Sequence, residues 1–105
     1  MNAAISSLAV YPLKGAAGID VDRADVETTG LALRGVGDRE WMAVDANGRF
    51  VSQRERPELC LVRTAIGDGV LELSAANAAP LALDIRAPGA SREVVVWRDR
   101  VRGLD

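Results

Sequence analysis

The chain has 105 residues, the size of one domain, and its 49% hydrophobic and 27% charged residues are the usual balance of a globular protein. One cysteine and no histidine exclude an internal disulfide, a histidine base and a Ser-His-Asp triad, and they argue against a structural zinc site. The net charge of −2 gives no attraction to nucleic acid or anionic lipid. No apolar run approaches the ~20 residues of a membrane helix. We therefore expect neither nucleic acid nor a membrane as a partner.

The first residues lack the features of a signal peptide, because no basic region precedes an apolar stretch that Ser6 and Ser7 interrupt. This observation and the single cysteine predict a cytoplasmic protein. Lys14 is the only lysine among thirteen basic residues, and the bias towards arginine indicates a GC-rich bacterial genome.

The first half of the chain shows the period-two alternation of short β-strands. Between residues 19 and 26 the apolar phase flips near Asp22 and Arg23, which predicts a β-bulge. Farther along, Asn47-Gly48 lies between the apolar runs 40–45 and 49–51, and this pattern is the strongest short hairpin signal.

The second half continues the pattern, with a hairpin predicted at 67–69 between strands 59–66 and 70–74. Residues 81–86 alternate cleanly, and 93–97 form a last strand, whereas helix is expected at most as one turn around 56–58. About seven short strands separated by turns predict an all-β fold, a small and mostly antiparallel β-barrel. The expected buried residues are Trp41, Val44, Leu61, Leu73, Leu83 and Val95.

The segment Tyr11-Pro12-Leu13-Lys14-Gly15 presents its lysine on a loop between a rigid proline and a flexible glycine. A compact positive charge at such a place suits a phosphate or a carboxylate. The alternative is an ordinary solvated lysine. The retention of one lysine in an arginine-rich sequence favours the binding interpretation.

Two further segments carry groups that could bind an oxyanion. Arg39 enters a strand from a glycine-containing turn, and its planar fork suits a bidentate contact, although spacing alone favours a surface pair with Asp38 and Trp41 as a core anchor. Ser52-Gln53-Arg54 forms either a polar ligand rim or an exposed strand end. Cys60 lies between two leucines and is expected to be buried rather than reactive.

Taken in order, these segments resemble the N-terminal β-barrel domain of MOSC (molybdenum-cofactor sulfurase C-terminal) proteins, as found in the amidoxime-reducing components and their bacterial relatives. The resemblance covers about residues 4–86, and it is specific because the motifs are linked. The matching motifs are Tyr11-Pro12-Leu13-Lys14-Gly15, Gly30-Leu31, Asp38-Arg39-Glu40-Trp41-Met42, Val44-Asp45-Ala46-Asn47-Gly48-Arg49-Phe50 and Ser52-Gln53-Arg54 with Pro57.

The resemblance implies a role in binding the molybdenum cofactor (molybdopterin). The cofactor-contacting lysine and arginine of the family correspond to Lys14 and Arg39, and Arg54 is a further candidate. Gly15 stands where the family has serine, so a hydroxyl donor is lost at that position. No catalytic residue and no metal ligand is assigned within this chain, because in the family the molybdenum-ligating cysteine lies in a following domain.

The resemblance also implies a division of the chain. Residues 1–88 are expected to form the MOSC N-terminal domain, and 89–105 the last strand and the start of a connection to a C-terminal MOSC domain. The segment from Trp97 to Asp105 has no stop signal, and we expect the last strand and the tail from Arg98 to Asp105 to lack a partner surface and to be the least ordered part.

Two functions are compatible with these features. The favoured one is a domain of a molybdenum-dependent oxidoreductase that reduces N-hydroxylated small molecules with electrons from a redox partner. In this case the 105 residues alone are expected to be inactive and to hold no cofactor. The alternative is a non-catalytic β-barrel that docks a substrate or a sulfur carrier. An oligonucleotide-binding barrel is poorly supported, because the chain has only four aromatic residues and an acidic balance.

Overall fold

The computed structural model describes residues 3–87, 89 and 91–104, so the predicted domain boundary at 88 lies outside the described residues. Within these residues the chain forms ten short β-strands and one 3-10 helix, with no α-helix. The strands are β1 Ala9–Val10, β2 Ile19–Asp20, β3 Asp25–Glu27, β4 Gly30–Leu33, β5 Val36–Gly37, β6 Arg63–Ile66, β7 Val70–Ser74, β8 Leu81–Asp84, β9 Ser91–Val96 and β10 Asp99–Leu104, and the 3-10 helix is Pro57–Leu61.

The strands pair antiparallel in four small sheets, β1–β2, β3–β4–β5, β6–β7–β8 and β9–β10. The predicted all-β, antiparallel fold is confirmed. None of these sheets closes into a barrel in the described part of the chain, because each strand pairs only with strands that are its neighbours in sequence. Single bridges connect the sheets through the irregular segment 41–50, and they pair Leu13 with Trp41, Val44 with Phe50 and Arg49 with Val95.

The two predicted hairpin turns are present, but the strands that they connect differ in how far they pair. At 67–69 the chain reverses between two regular strands, and Ile66 pairs with Leu71. At Asn47-Gly48 the turn carries a single antiparallel bridge rather than two full strands. Here the Asp45 carboxylate accepts hydrogen bonds from two backbone N–H groups that follow it, and Gly48 adopts a φ of +78°.

The predicted β-bulge near Asp22 and Arg23 is wrong. The strands on either side, β2 and β3, belong to different sheets. The change of apolar phase therefore marks the passage of the chain from one sheet to the next.

The prediction of a strand from residue 59 is also wrong at its beginning. Pro57 starts a 3-10 helix that ends at Leu61, and only then does β6 begin. In this helix Leu59 points inward, whereas Leu61 is 71% exposed and Cys60 is exposed rather than buried. Both residues were expected inside because they belong to an apolar run that was interpreted as a strand, whereas the 3-10 turn that forms instead leaves them exposed.

The tail was expected to lack a partner, and the structure corrects this. A turn at Trp97 and Arg98 reverses the chain, with Trp97 at a φ of +56°, and β10 pairs with β9 over six residues. The tail therefore forms β10 and provides backbone hydrogen-bond partners for β9, the last predicted strand.

The best-defined core cluster lies between the sheets β3–β4–β5 and β6–β7–β8. Val36, Ile66 and Leu71 are buried at its centre. Three of the expected core residues are partly buried around it, namely Trp41, Leu73 and Leu83. Val44 and Val95 are also partly buried.

Truncation of Leu71, which is fully buried, is expected to lower the free energy of unfolding by about 2–5 kcal/mol, the usual cost of a Leu→Ala cavity. The matched control is Leu61→Ala at a 71% exposed position, with an expected effect within about 0.5 kcal/mol. Urea unfolding of both variants measures the difference. Equal losses in the two variants would contradict this location of the core.

Candidate functional site

A single cleft of about 420 Å³ brings together all four residues that the sequence singles out, Lys14, Gly15, Arg39 and Arg54. Its walls come from four separate parts of the chain: the 11–16 loop, Arg39, the 50–54 segment, and Trp97 in the turn between β9 and β10. The predicted shared rim for Lys14 and Arg39 therefore exists in the fold. Their role in binding remains a prediction at this point.

Backbone pairing holds two of these segments side by side. The N–H of Lys14 donates to the carbonyl of Trp41 (2.8 Å), and the N–H of Trp41 donates to the carbonyl of Pro12 (3.0 Å). The N–H of Arg39 donates in the same way to the carbonyl of Tyr11. Because of this pairing, Lys14 and Arg39 lie on one rim, although 25 positions separate them in sequence.

Each cation of the cleft lies against an aromatic ring. The Lys14 Nζ is 4.5 Å from the centroid of Phe50. The guanidinium carbon of Arg39 is 4.9 Å from the centroid of Tyr11, and that of Arg54 is 5.1 Å from the centroid of Trp97. A guanidinium above a ring keeps the N–H donors in its own plane, so these contacts orient the arginines while leaving donor capacity for an anion.

Arg39 also has an acidic partner. One oxygen of the Asp38 carboxylate accepts the Tyr11 N–H (2.8 Å), and the other accepts a hydrogen bond from Arg39 Nη1. The surface pair that spacing alone favoured for Arg39 is thus confirmed. Because Asp38 offsets its charge, Arg39 contributes less positive potential to the cleft than Lys14 and Arg54 do.

Gly15 occupies a position that favours glycine in this chain. Its φ is +87°, and a Cβ added there would lie 2.9 Å from Leu59 Cδ2. The Gln53 amide donates to the Gly15 carbonyl and fixes the loop against the 50–54 segment. A side chain at this position would therefore be strained, since the loop has a backbone conformation that L-residues adopt only with strain.

Ser52 is the most informative residue that the sequence did not resolve by itself. It is only 4% exposed, it lines the cleft, and its hydroxyl has no hydrogen-bond partner among the described residues. A buried polar atom without a partner costs about 1–3 kcal/mol, so such atoms are uncommon unless a ligand or an ordered water supplies the missing hydrogen bond. The sequence indicated a polar rim at 52–54, but it carried no signal that this hydroxyl would be buried and unpaired.

Sequence reasoning also missed Phe50 and Trp97 as parts of the site. Their rings meet edge to face, with centroids 5.7 Å apart and planes at 77°. Trp97 was predicted as the end of the last strand, 93–97, but it lies in the turn between β9 and β10, a hairpin that was not predicted.

The described residues offer neither a metal centre nor a membrane-spanning helix. They contain no group of three or more His, Cys, Asp or Glu side chains arranged to hold a metal ion. They also contain no helix that is long and apolar enough to cross a membrane.

Comparison with known proteins identifies the family of the chain. The model of the MOSC N-terminal beta barrel domain matches residues 2–105. The chain is 32% identical over 101 residues to human mitochondrial amidoxime-reducing component 1, a match that covers 96% of this chain and 29% of the relative. It is 31% identical to rat mitochondrial amidoxime reducing component 2 over the same shares. It is also 36% identical over 103 residues to the molybdenum cofactor sulfurase of Drosophila ananassae, with 93% of this chain and 13% of the relative covered.

The chain thus spans less than a third of the length of the curated relatives it matches. The match nevertheless includes each segment that lines the cleft, from the 11–16 loop to Trp97. On this match, the chain belongs to the MOSC N-terminal beta barrel domain family.

Proposed function

We propose that this domain supplies one wall of a molybdenum-cofactor site in an oxidoreductase that reduces N-hydroxylated compounds, and that its cleft holds the phosphate-bearing part of the cofactor. The observation that carries the proposal is that Lys14, Arg39 and Arg54 line one cleft together with Ser52, whose buried hydroxyl has no partner among the described residues. The names of the relatives support the cofactor, since they include amidoxime-reducing components and molybdenum cofactor sulfurases.

The residues present fit a phosphate group. Lys14 offers a compact positive charge, and Arg54 offers N–H donors that the stack on Trp97 orients. Ser52 offers a hydroxyl donor that nothing else in the described chain uses. Arg39, held by Asp38, contributes a donor with less net charge.

The domain itself binds and orients, and it performs no step of the reaction. The cofactor, when bound, would supply two-electron redox chemistry at its metal, and we assign it no metal ligand from the described residues. The remaining parts of the assembly that we propose are a C-terminal MOSC domain of the same protein, a small N-hydroxylated substrate, and a redox partner, all in the cytoplasm. Barrel closure, which the described strands do not show, would require that second domain or a rearrangement of the single bridges around 41–50.

Replacement of Lys14 by alanine in the complete protein is expected to weaken cofactor retention by about tenfold, because a charge-assisted hydrogen bond contributes ~1.5–3 kcal/mol. The molybdenum content of the purified protein after dialysis measures this loss, and the unfolding midpoint should hardly move. Arg63→Ala, which removes an exposed cation of β6 outside the cleft, is the control. Equal molybdenum contents in both variants would contradict the proposal.

Ser52→Ala is expected to change stability and cofactor binding in opposite directions. Removal of the unpartnered hydroxyl should leave the fold as stable as before or stabilise it by up to about 1 kcal/mol. The same change should lower cofactor retention by several fold, because one donor to the phosphate is lost. Thermal unfolding and molybdenum analysis give the two numbers. A variant that is destabilised by several kcal/mol would show that the hydroxyl has a structural partner.

Gly15→Ser would restore the hydroxyl that relatives carry, but we expect it to impair the domain. A side chain at a φ of +87° is strained by about 1–3 kcal/mol, and its Cβ would press on Leu59. Gly67→Ser is the control, since a Cβ there meets no atom within 4 Å and its φ is not positive. Chemical denaturation compares the two, and an unchanged stability in Gly15→Ser would show that the loop rearranges freely.

A further inference from the structure

A second cleft, of about 370 Å³, adjoins the first on the other side of Trp97 and Arg54. The two clefts share Phe50, Arg54 and Trp97, so these three side chains form the partition between them. The proposed phosphate site uses Lys14, Arg39 and Ser52 on its own side. The residues that line only the second cleft have no role in that function. They are Arg49, Glu55, Val95 and Arg98.

Those residues concentrate positive charge in an acidic chain. Arg49 and Arg98 join Arg54 in the second cleft, against the single carboxylate of Glu55. Arg49 and Arg98 have no hydrogen-bond or ion-pair partner for their side chains among the residues that the structure describes. Since the chain as a whole carries a net charge of −2, three guanidinium groups at one place are not a consequence of composition.

The second cleft also has an exposed aromatic surface, the ring of Trp97. Trp97 remains 54% exposed even though it contacts both Phe50 and Arg54. An exposed indole beside arginines is suited to stack a planar ring whose attached anion the guanidinium groups bind. The volume of the cleft is within the range of small-molecule sites.

Glu55 narrows the class of ligand further. A carboxylate repels a phosphate, but it accepts hydrogen bonds from hydroxyl groups, as acidic residues do from ribose in nucleotide sites. A ligand with a planar base, hydroxyl groups and a phosphate would therefore match Trp97, Glu55 and the arginines respectively. We propose that the second cleft binds a nucleotide, with its base against Trp97 and its phosphate between Arg49 and Arg98.

A free nucleotide and a nucleotide attached to a larger ligand share this chemistry, and they can be told apart. Denaturation of the purified complete protein, followed by nucleotide analysis, detects an attached or retained nucleotide in a fixed ratio to molybdenum. If none is released, a free nucleotide that exchanges with solution is the source, and the titration below must show it. The absence of both signals would overturn the proposal.

The direct test is a calorimetric titration of the 105-residue chain with adenosine 5′-monophosphate, adenosine and inorganic phosphate. We expect the monophosphate to bind at least tenfold more tightly than either of its parts. Arg98→Ala should weaken this binding by about tenfold, and Trp97→Leu should reduce it to the affinity of inorganic phosphate. Glu55→Gln should weaken binding of the ribonucleotide more than that of a dideoxynucleotide.

The control is Arg100→Ala, which removes a cation from the same hairpin that does not line the cleft. Circular dichroism of each variant shows whether the hairpin still folds. Equal binding of nucleotide and inorganic phosphate, or an Arg98→Ala effect no larger than that of Arg100→Ala, would overturn the proposal. Lys14→Ala separates this site from the proposed function, because it should lower molybdenum retention and leave nucleotide affinity within about twofold.

Discussion

The candidate site depends on one interaction, the backbone pairing of the 11–14 segment with the 39–41 segment. Hydrogen bonds between Pro12, Lys14 and Trp41 fix these segments in register, and Asp38 ties the Tyr11 N–H to the Arg39 side chain. Without this pairing, Lys14 and Arg39 would have no reason to share a rim. The small sheets around it are local hairpins, so this long-range contact gives the arrangement of charges its geometry.

The sequence predicted the all-β, antiparallel fold class because its signals are local. Lys14, Gly15, Arg39 and Arg54 were selected through the family resemblance, and their role in binding stays a prediction. Alternation and glycine turns determine hairpins such as 63–74, and linked motifs identify Lys14 and Arg39. At two places the prediction failed because a single residue interrupted the expected strand. Pro57 replaced the beginning of a strand with a 3-10 helix and turned Cys60 and Leu61 outward. Trp97 has a positive φ, which a tryptophan rarely adopts and which the sequence therefore does not indicate. It lies in the turn that connects β9 and β10.

Burial of polar groups was beyond prediction for a different reason. Ser52 is buried and lines a cleft together with the 11–16 loop, Arg39 and Trp97, which are distant from it in sequence, so local patterning could not indicate its burial. The aromatic residues illustrate the same point. Their number, four, argued against a base-stacking surface, but three of them lie together around the clefts.

The pairing of cations with aromatic rings has a consequence for conformational entropy. Free lysine and arginine side chains each lose up to about 2 kcal/mol of rotational freedom when a ligand immobilises them. Lys14, Arg39 and Arg54 are already restricted by Phe50, Tyr11 and Trp97, so part of that loss occurs when the domain folds. The aromatic residues therefore influence affinity without touching the anion, because they keep the three cations in few rotamers while the cleft is empty.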